Sequence, residues 1–111
     1  MSDILQRLAA TIATRKDADP ATSHTAAMLA KGPAKCAEKF GEEAIEAIIE
    51  AVKLDSGRGD STALTREGAD VLYHFLVMLT ASGLTLNDVL AELERREGVS
   101  GIAEKTARAE P

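Results

Sequence analysis

The stretch from Ala69 to Leu79 constrains this chain more than any other part of its sequence. It reads Ala-Asp-Val-Leu-Tyr-His-Phe-Leu-Val-Met-Leu, and on a helical wheel its apolar side chains point in nearly every direction. A helix of this kind must be covered on most sides. Glu67, Asp70 and His74 nevertheless align in one stripe of the same helix. The fold must therefore also compensate charge close to a buried surface.

The rest of the chain predicts further helices. Only 3% of the residues are aromatic, whereas Ala, Leu, Ile and Glu recur throughout, and this balance favours helix over sheet. Caps, glycines and apolar spacing predict helices from Ser2 to about Arg15, from Ser23 to Gly32, from Pro33 to about Asp55, from Thr62 or Thr65 to about Ser82, and from Thr85 to Gly98. We expect an all-α fold, a single domain over residues 1–111 built as a bundle of four to five helices.

The apolar helix also predicts a homodimer. The other helices of one chain are too few and too short to cover every side of it. An uncovered side would expose an apolar patch on the order of a few hundred Å², which soluble monomers usually avoid. Pairing two chains into a larger helical bundle removes this patch, so the bundle is expected to be completed by dimerisation.

Charge and composition exclude several partners. The chain has 13 basic and 18 acidic residues and a net charge of −5, which disfavours nonspecific binding to nucleic acids or membrane surfaces. No apolar run approaches the ~18 residues of a membrane span, and Asp3 stands where a signal peptide carries positive charge. Cys36 is the single cysteine, so intramolecular disulfides and cysteine-based zinc sites are excluded. We expect a cytoplasmic protein without nucleic-acid or membrane partners.

A charged arc follows the helix from Pro33 to Asp55. Its members, which fall within roughly 100° of the wheel, are Lys35, Lys39, Glu42, Glu43, Glu46, Glu50 and Lys53. Taken alone, this arc is typical of a solvated face with pairs of Lys and Glu. If it faces the stripe of the apolar helix, four carboxylates converge: Glu43, Glu46, Glu67 and Asp70. Such a group repels itself unless a cation neutralises it, and oxygen ligands without cysteine select Mg²⁺ or Mn²⁺, metals of phosphate chemistry.

Two motifs carry a resemblance to a known family. The first reads Lys35-x-x-x-Lys39-Phe-Gly-Glu42-Glu43-Ala-x-Glu46, and the second, which follows after twenty residues, reads Glu67-Gly-Ala-Asp70-Val-Leu-Tyr73-His74. Together they closely resemble the phosphoribosyl-ATP pyrophosphohydrolase family. This family belongs to the all-α nucleotide pyrophosphohydrolases, the MazG-like group, which share E-x-x-E followed by E-x-x-D. The resemblance extends over about residues 23–108.

The resemblance implies metal-assisted hydrolysis of phosphoribosyl-ATP to phosphoribosyl-AMP and pyrophosphate, the second step of histidine biosynthesis. Under it, the four carboxylates hold Mg²⁺, with Mn²⁺ as a second possibility. Lys35 and Lys39 either grip the triphosphate or neutralise neighbouring carboxylates. Glu42 is the candidate general base, and Glu46 is the alternative in a two-metal arrangement.

Basic residues near the C-terminus complete the expected substrate site. The residues expected to bind substrate there are Arg95, Arg96, Ser100 and Lys105. The basic members of this set, Arg95, Arg96 and Lys105, form either a clamp for the phosphoribosyl end of the substrate or a solubilising end of the chain. The resemblance also implies a dimer, in which Arg95 and Lys105 of the second chain approach the carboxylates of the first.

Two other functions stay open on the sequence alone. One is a house-cleaning pyrophosphohydrolase for noncanonical nucleotides, which shares the metal site but not the basic tail. The other is a non-enzymatic helical module whose acidic stripe binds a basic partner. His74 is either a core histidine hydrogen-bonded to a neighbour or a support behind the metal ligands. The resemblance implies a free-standing hydrolase without a fused cyclohydrolase domain.

Overall fold

The computed structural model describes residues 3–98, which form five α-helices and contain no strand. The helices are α1 (Ile4–Thr14, followed by a 3₁₀ turn at Arg15–Asp17), α2 (His24–Ala30), α3 (Pro33–Asp55), α4 (Ser61–Ala81) and α5 (Leu86–Arg96). The expected all-α architecture is thereby confirmed. Ser2, Ser100 and Lys105, for which the sequence predicts roles, lie outside the described residues. Within residues 3–98 no single helix is long and apolar enough to cross a membrane, and α4 and α5 meet that test only when joined across a bend of 108°.

Helices α2 and α3 begin where the sequence predicts. The Ser23 hydroxyl accepts a hydrogen bond from the backbone N–H of Ala26 at 3.1 Å, which caps α2. Gly32 has a φ of 93°, a left-handed conformation that glycine adopts without strain, and it separates the two helices. Pro33 occupies the first turn of α3, where its missing N–H costs no hydrogen bond.

The start of α4 differs from the expectation of Thr62 or Thr65. The helix begins at Ser61, because Asp60 caps it by accepting a hydrogen bond from the N–H of Ala63 at 2.8 Å. The Thr65 hydroxyl instead donates back to the carbonyl of Ser61 at 2.7 Å, as in a helix interior. The connector thus supplies a better cap than either threonine.

The connector at residues 56–60 turns the chain back so that α4 packs along α3. Gly57 has a φ of 78°. At Gly59 an added Cβ would lie 2.9 Å from Cβ of Lys53, closer than van der Waals contact allows, so the turn requires glycine there. A short connector makes the two helices antiparallel neighbours, and this brings the acidic motif of α3 beside that of α4.

The core lies where α1, α2 and α3 pack on α4. Its fully buried members are Ile12, Met28, Cys36, Leu76, Val77 and Leu79. The rings of Phe40 and Phe75 extend this core along the α3 and α4 pair, with centroids 5.8 Å apart. Cys36 behaves as the expected small buried hydrophobe, and its Sγ donates to the Met28 carbonyl at 3.2 Å.

Within residues 3–98, one apolar surface of α3 is not covered, and we call it the α3 face. It consists of Ile45, Ile48, Ile49 and Val52, each about half exposed or more. Their spacing of three and four residues makes a continuous stripe. The sequence predicted that the uncovered apolar surface would lie on α4, but α4 contributes only Leu72, 47% exposed, to the large exposed apolar side chains. The reason is that α1, α2 and α3 all pack on α4, whereas α3 packs mainly on α4.

Candidate metal and substrate site

Three carboxylates from two helices meet at the packed surface between α3 and α4. Glu43 and Glu46 of α3 and Glu67 of α4 each offer an oxygen atom that lies within 4.8 Å of the other two. Glu43 is buried, Glu67 is half-buried and Glu46 is exposed, so the carboxylate cluster opens from the helix interface to the surface. The structure therefore brings together three of the four metal ligands that the sequence predicts.

The carboxylate cluster fits a hard divalent cation. Oε2 of Glu67 is buried and lacks a hydrogen-bond partner within residues 3–98, which is unfavourable for a charged oxygen. Repulsion from Glu43 is the largest of the effects that raise the pKa of Glu46, and Glu67 adds to it. A cation among these oxygens relieves both the missing partner and the repulsion. A donor set made of oxygen alone suits Mg²⁺ or Mn²⁺.

Asp70, the fourth predicted ligand, is placed differently. It is exposed on α4, one turn after Glu67, and is not a member of the carboxylate cluster found among residues 3–98. Its charge acts on His74, whose pKa is lowered mainly by burial and is raised in part by Glu43 and Asp70. A ligand role for Asp70 remains a prediction from the motif.

Lys39 pairs with one carboxylate inside the carboxylate cluster and with one outside it. Its Nζ lies 3.2 Å from Oε1 of Glu43 and 3.6 Å from Oε2 of Glu42. The hydrogen bond to Glu43 raises the pKa of Lys39, so the ammonium stays charged at neutral pH. Lys35 lies one turn earlier and pairs with Glu38 at 3.2 Å. These pairs span one turn of α3, as the helical wheel predicts.

An open cleft of about 590 Å³ lies beside the carboxylate cluster, between the end of α2 and the first half of α3. Its lining consists of Met28, Lys31, Lys35, Glu38, Lys39 and Glu42. Three lysines therefore face one cleft in an acidic protein, which makes it suited to an anionic ligand. We call it the lysine cleft.

Sequence reasoning missed Lys31 as a site residue. It follows α2 directly and so lies outside the charged arc of α3, on which Lys35 and Lys39 were predicted to contact phosphate. The available signal was the spacing of Lys31, Lys35 and Lys39, four residues apart across Gly32. Although α2 ends before Gly32 and α3 begins after it, the lysines of both segments face the same cleft.

Arg95 and Arg96 lie in the last turn of α5 and do not line the lysine cleft. Both pair with Glu92, at 2.6 Å from Nη2 of Arg95 and 3.4 Å from Nε of Arg96. Hydrogen bonds from Arg95, with a smaller contribution from Arg96, lower the pKa of Glu92 to about 2. Their role in substrate binding remains a prediction, and so do those of Ser100 and Lys105.

Repulsion within the carboxylate cluster predicts a stabilising substitution. Because the pKa of Glu46 is raised above its ordinary 4.5, its contribution to stability is present below pH 4.5 and is lost as the pH rises through the folded-state pKa. In EDTA, Glu46→Gln is therefore expected to melt at a higher temperature than the parent chain at about pH 7.5, and the difference is expected to vanish near pH 4.5. Paired thermal melts across this range measure the effect. A difference in melting temperature that stays constant with pH would contradict the prediction.

Comparison with known proteins adds a family match. The chain matches the family of phosphoribosyl-ATP pyrophosphohydrolases over residues 5–97. It is 68% identical over 105 residues to the phosphoribosyl-ATP pyrophosphatase of Dinoroseobacter shibae, covering 95% of this chain and 98% of that relative. It is 70% identical to the relative of the same name from Ruegeria pomeroyi, covering 95% of each chain. The matched range contains the carboxylate cluster, the lysine cleft and all of α5.

Proposed function

The chain belongs to the phosphoribosyl-ATP pyrophosphohydrolase family, and from this premise we propose that it hydrolyses phosphoribosyl-ATP to phosphoribosyl-AMP and pyrophosphate in histidine biosynthesis. The observation that carries the proposal is the carboxylate cluster directly beside the lysine cleft. Binding a triphosphate requires a divalent cation and positively charged side chains that lie close enough together to contact the same phosphates. The chain provides both, and Lys39 contacts each of them.

We propose that the metal is Mg²⁺, held by Glu43, Glu46 and Glu67, with Asp70 as the fourth ligand. When bound, Mg²⁺, or Mn²⁺ in its place, neutralises phosphate charge and makes a water molecule more acidic. The oxygen-only donor set and the unpartnered Oε2 of Glu67 support this assignment. Glu46 is the exposed member of the carboxylate cluster, so a phosphate has access to a bound cation on that side.

The residues of the lysine cleft bind the substrate and accept a proton. Its three lysines, Lys31, Lys35 and Lys39, bind the phosphate oxygens and orient the bond between the α and β phosphates towards the carboxylate cluster. Glu42 lines the cleft and is not one of the three clustered carboxylates, which supports it as the acceptor of the proton from the attacking water. Lys39 pairs with both Glu42 and Glu43, so one ammonium lies beside the proposed base and a proposed metal ligand.

Lys39→Ala is expected to raise the KM for phosphoribosyl-ATP by about tenfold, with a smaller change in kcat, because the ammonium contacts phosphates in the ground state as well as in the transition state. Steady-state kinetics at saturating Mg²⁺ measure the effect. Lys53→Ala is the matched control, since Lys53 pairs with Glu50 on the same helix but lies outside the lysine cleft. A loss confined to kcat would instead give Lys39 a chemical role.

Pyrophosphate release tests the substrate directly. Phosphoribosyl-ATP, ATP and dUTP are compared at equal concentration with Mg²⁺ present. We expect kcat/KM for phosphoribosyl-ATP to exceed that for the other two by more than about tenfold. Equal or higher rates with dUTP would favour a house-cleaning enzyme, and no release from any nucleotide would favour a non-enzymatic helical module.

We also propose that the working form is a cytoplasmic homodimer joined through the α3 face. The four side chains of this face run continuously over two turns, and one of them, Ile48, is 60% exposed. A twofold axis across such a stripe pairs it with itself and removes it from water. The proposed nucleotide substrate and the buried free thiol of Cys36 support a reducing, cytoplasmic setting.

A further inference from the structure

His74 lies buried on α4 directly behind the carboxylate cluster. It is 6% exposed, and its Nε2 lies 3.9 Å from Oε1 of Glu43. Its other ring nitrogen, Nδ1, is buried without a hydrogen-bond partner among the described residues. The mechanism above assigns this imidazole no task, and buried polar groups without a partner are rare in folded proteins.

The surroundings of His74 favour a proton on Nε2. Within residues 3–98 a proton on Nδ1 would have no acceptor, and a bare Nε2 would face a carboxylate oxygen. The geometry therefore favours donation from Nε2, on the side of Glu43.

Neighbouring side chains hold the imidazole in this position. The ring of Tyr73 packs edge-on against it, with centroids 4.8 Å apart and the planes at 79°. The hydroxyl of Tyr73 is hydrogen-bonded to that of Thr25, which ties α2 to α4 beside the histidine. The donor on Nε2 thus has a fixed direction.

Two donor groups lie near the same oxygen of Glu43. Nζ of Lys39 lies 3.2 Å and Nε2 of His74 lies 3.9 Å from Oε1, and neither group pairs with Oε2. A carboxylate whose one oxygen is fixed by donors presents the other with less loss of freedom on binding a cation.

We propose that His74 is a positioning residue whose Nε2–H orients the Glu43 carboxylate through Oε1, so that Oε2 is turned towards the bound cation. The proposal rests on the metal site proposed above. Loading of the site closes the 3.9 Å separation to hydrogen-bond length, about 3 Å.

Calorimetric titration of the full chain with Mn²⁺, in the absence of substrate, tests the proposed positioning role. His74→Leu is expected to weaken Mn²⁺ binding by about tenfold or more, the usual effect of removing a group that orients a ligand. His74→Gln places an amide N–H near the position of Nε2 and is expected to recover most of the affinity. Thermal melts in EDTA are expected to show the leucine variant folded, because it removes an unpartnered polar atom. His24→Leu, which alters the exposed histidine, is the matched control.

Three results would overturn the proposal, and they are distinguishable. If the parent chain binds Mn²⁺ and His74→Leu binds it within about twofold, the positioning role fails while the metal site stands. If the glutamine variant folds and binds no better than the leucine variant, donation by Nε2 is not the cause. If the parent chain binds no Mn²⁺, the metal site itself fails and this inference fails with it.

Discussion

Turnover of phosphoribosyl-ATP is expected to fall by more than ~10²-fold in Glu46→Gln and in Glu67→Gln, with the helices intact. Each change keeps the shape of the side chain and removes the charge of a metal ligand. Cation binding is therefore weakened and the acid-base step is slowed. Steady-state kinetics at saturating substrate and limiting Mg²⁺, together with circular dichroism, measure the effect. For Glu46 the same substitution that abolishes activity is expected to stabilise the metal-free chain, because it relieves the repulsion from Glu43.

Glu50→Gln is the matched control for this prediction. Glu50 lies one turn after Glu46 on α3, pairs with Lys53 at 3.7 Å and is outside the carboxylate cluster. It loses the same charge and should keep near-native rates. Asp70→Asn decides the fourth ligand: a loss equal to that of Glu67→Gln assigns Asp70 to the cation, although it is exposed in the single chain. Near-native rates in both Glu46→Gln and Glu67→Gln would place the site elsewhere.

Ile48→Glu is expected to convert the dimer to monomers. Ile48 is 60% exposed in the single chain, so a carboxylate there leaves the fold of one chain intact but buries a charge when two chains meet. Apolar anchors at the centre of an interface are worth about 2 kcal/mol or more, so the dissociation constant is expected to rise at least about 30-fold. Sedimentation at micromolar protein measures it.

Leu93→Glu is the control for the dimer. Leu93 is 56% exposed on α5, away from the α3 face, and its replacement should leave the dimer unchanged. A parent chain that sediments as a monomer rejects the dimer. If Asp70→Asn and Lys105→Ala chains are each inactive alone, mixing them then tests whether the site is shared. A dimer in which the mixture recovers no activity rejects only the shared site.

The sequence alone determined the features that depend on near neighbours in the chain. The helix start predicted at Thr85 is confirmed by a capping box with Asp88 at the start of α5, in which the Asp88 carboxylate accepts from the N–H of Thr85 at 2.9 Å. The arc that carries Glu43 and Glu46 followed in the same way from the helical period. Such features need only hydrogen bonds and directions set within about four residues.

The tertiary structure decided which side chains of different helices meet. Only the packing of α2 against α3 placed Lys31 in the lysine cleft. Only the central position of α4 left the α3 face, and not α4, as the main uncovered apolar surface. Only the packing of α3 against α4 placed Nε2 of His74 3.9 Å from Oε1 of Glu43. Which side chains are buried, and which ones meet, depends on how the helices pack around the shared core. A local pattern of residues does not specify this packing.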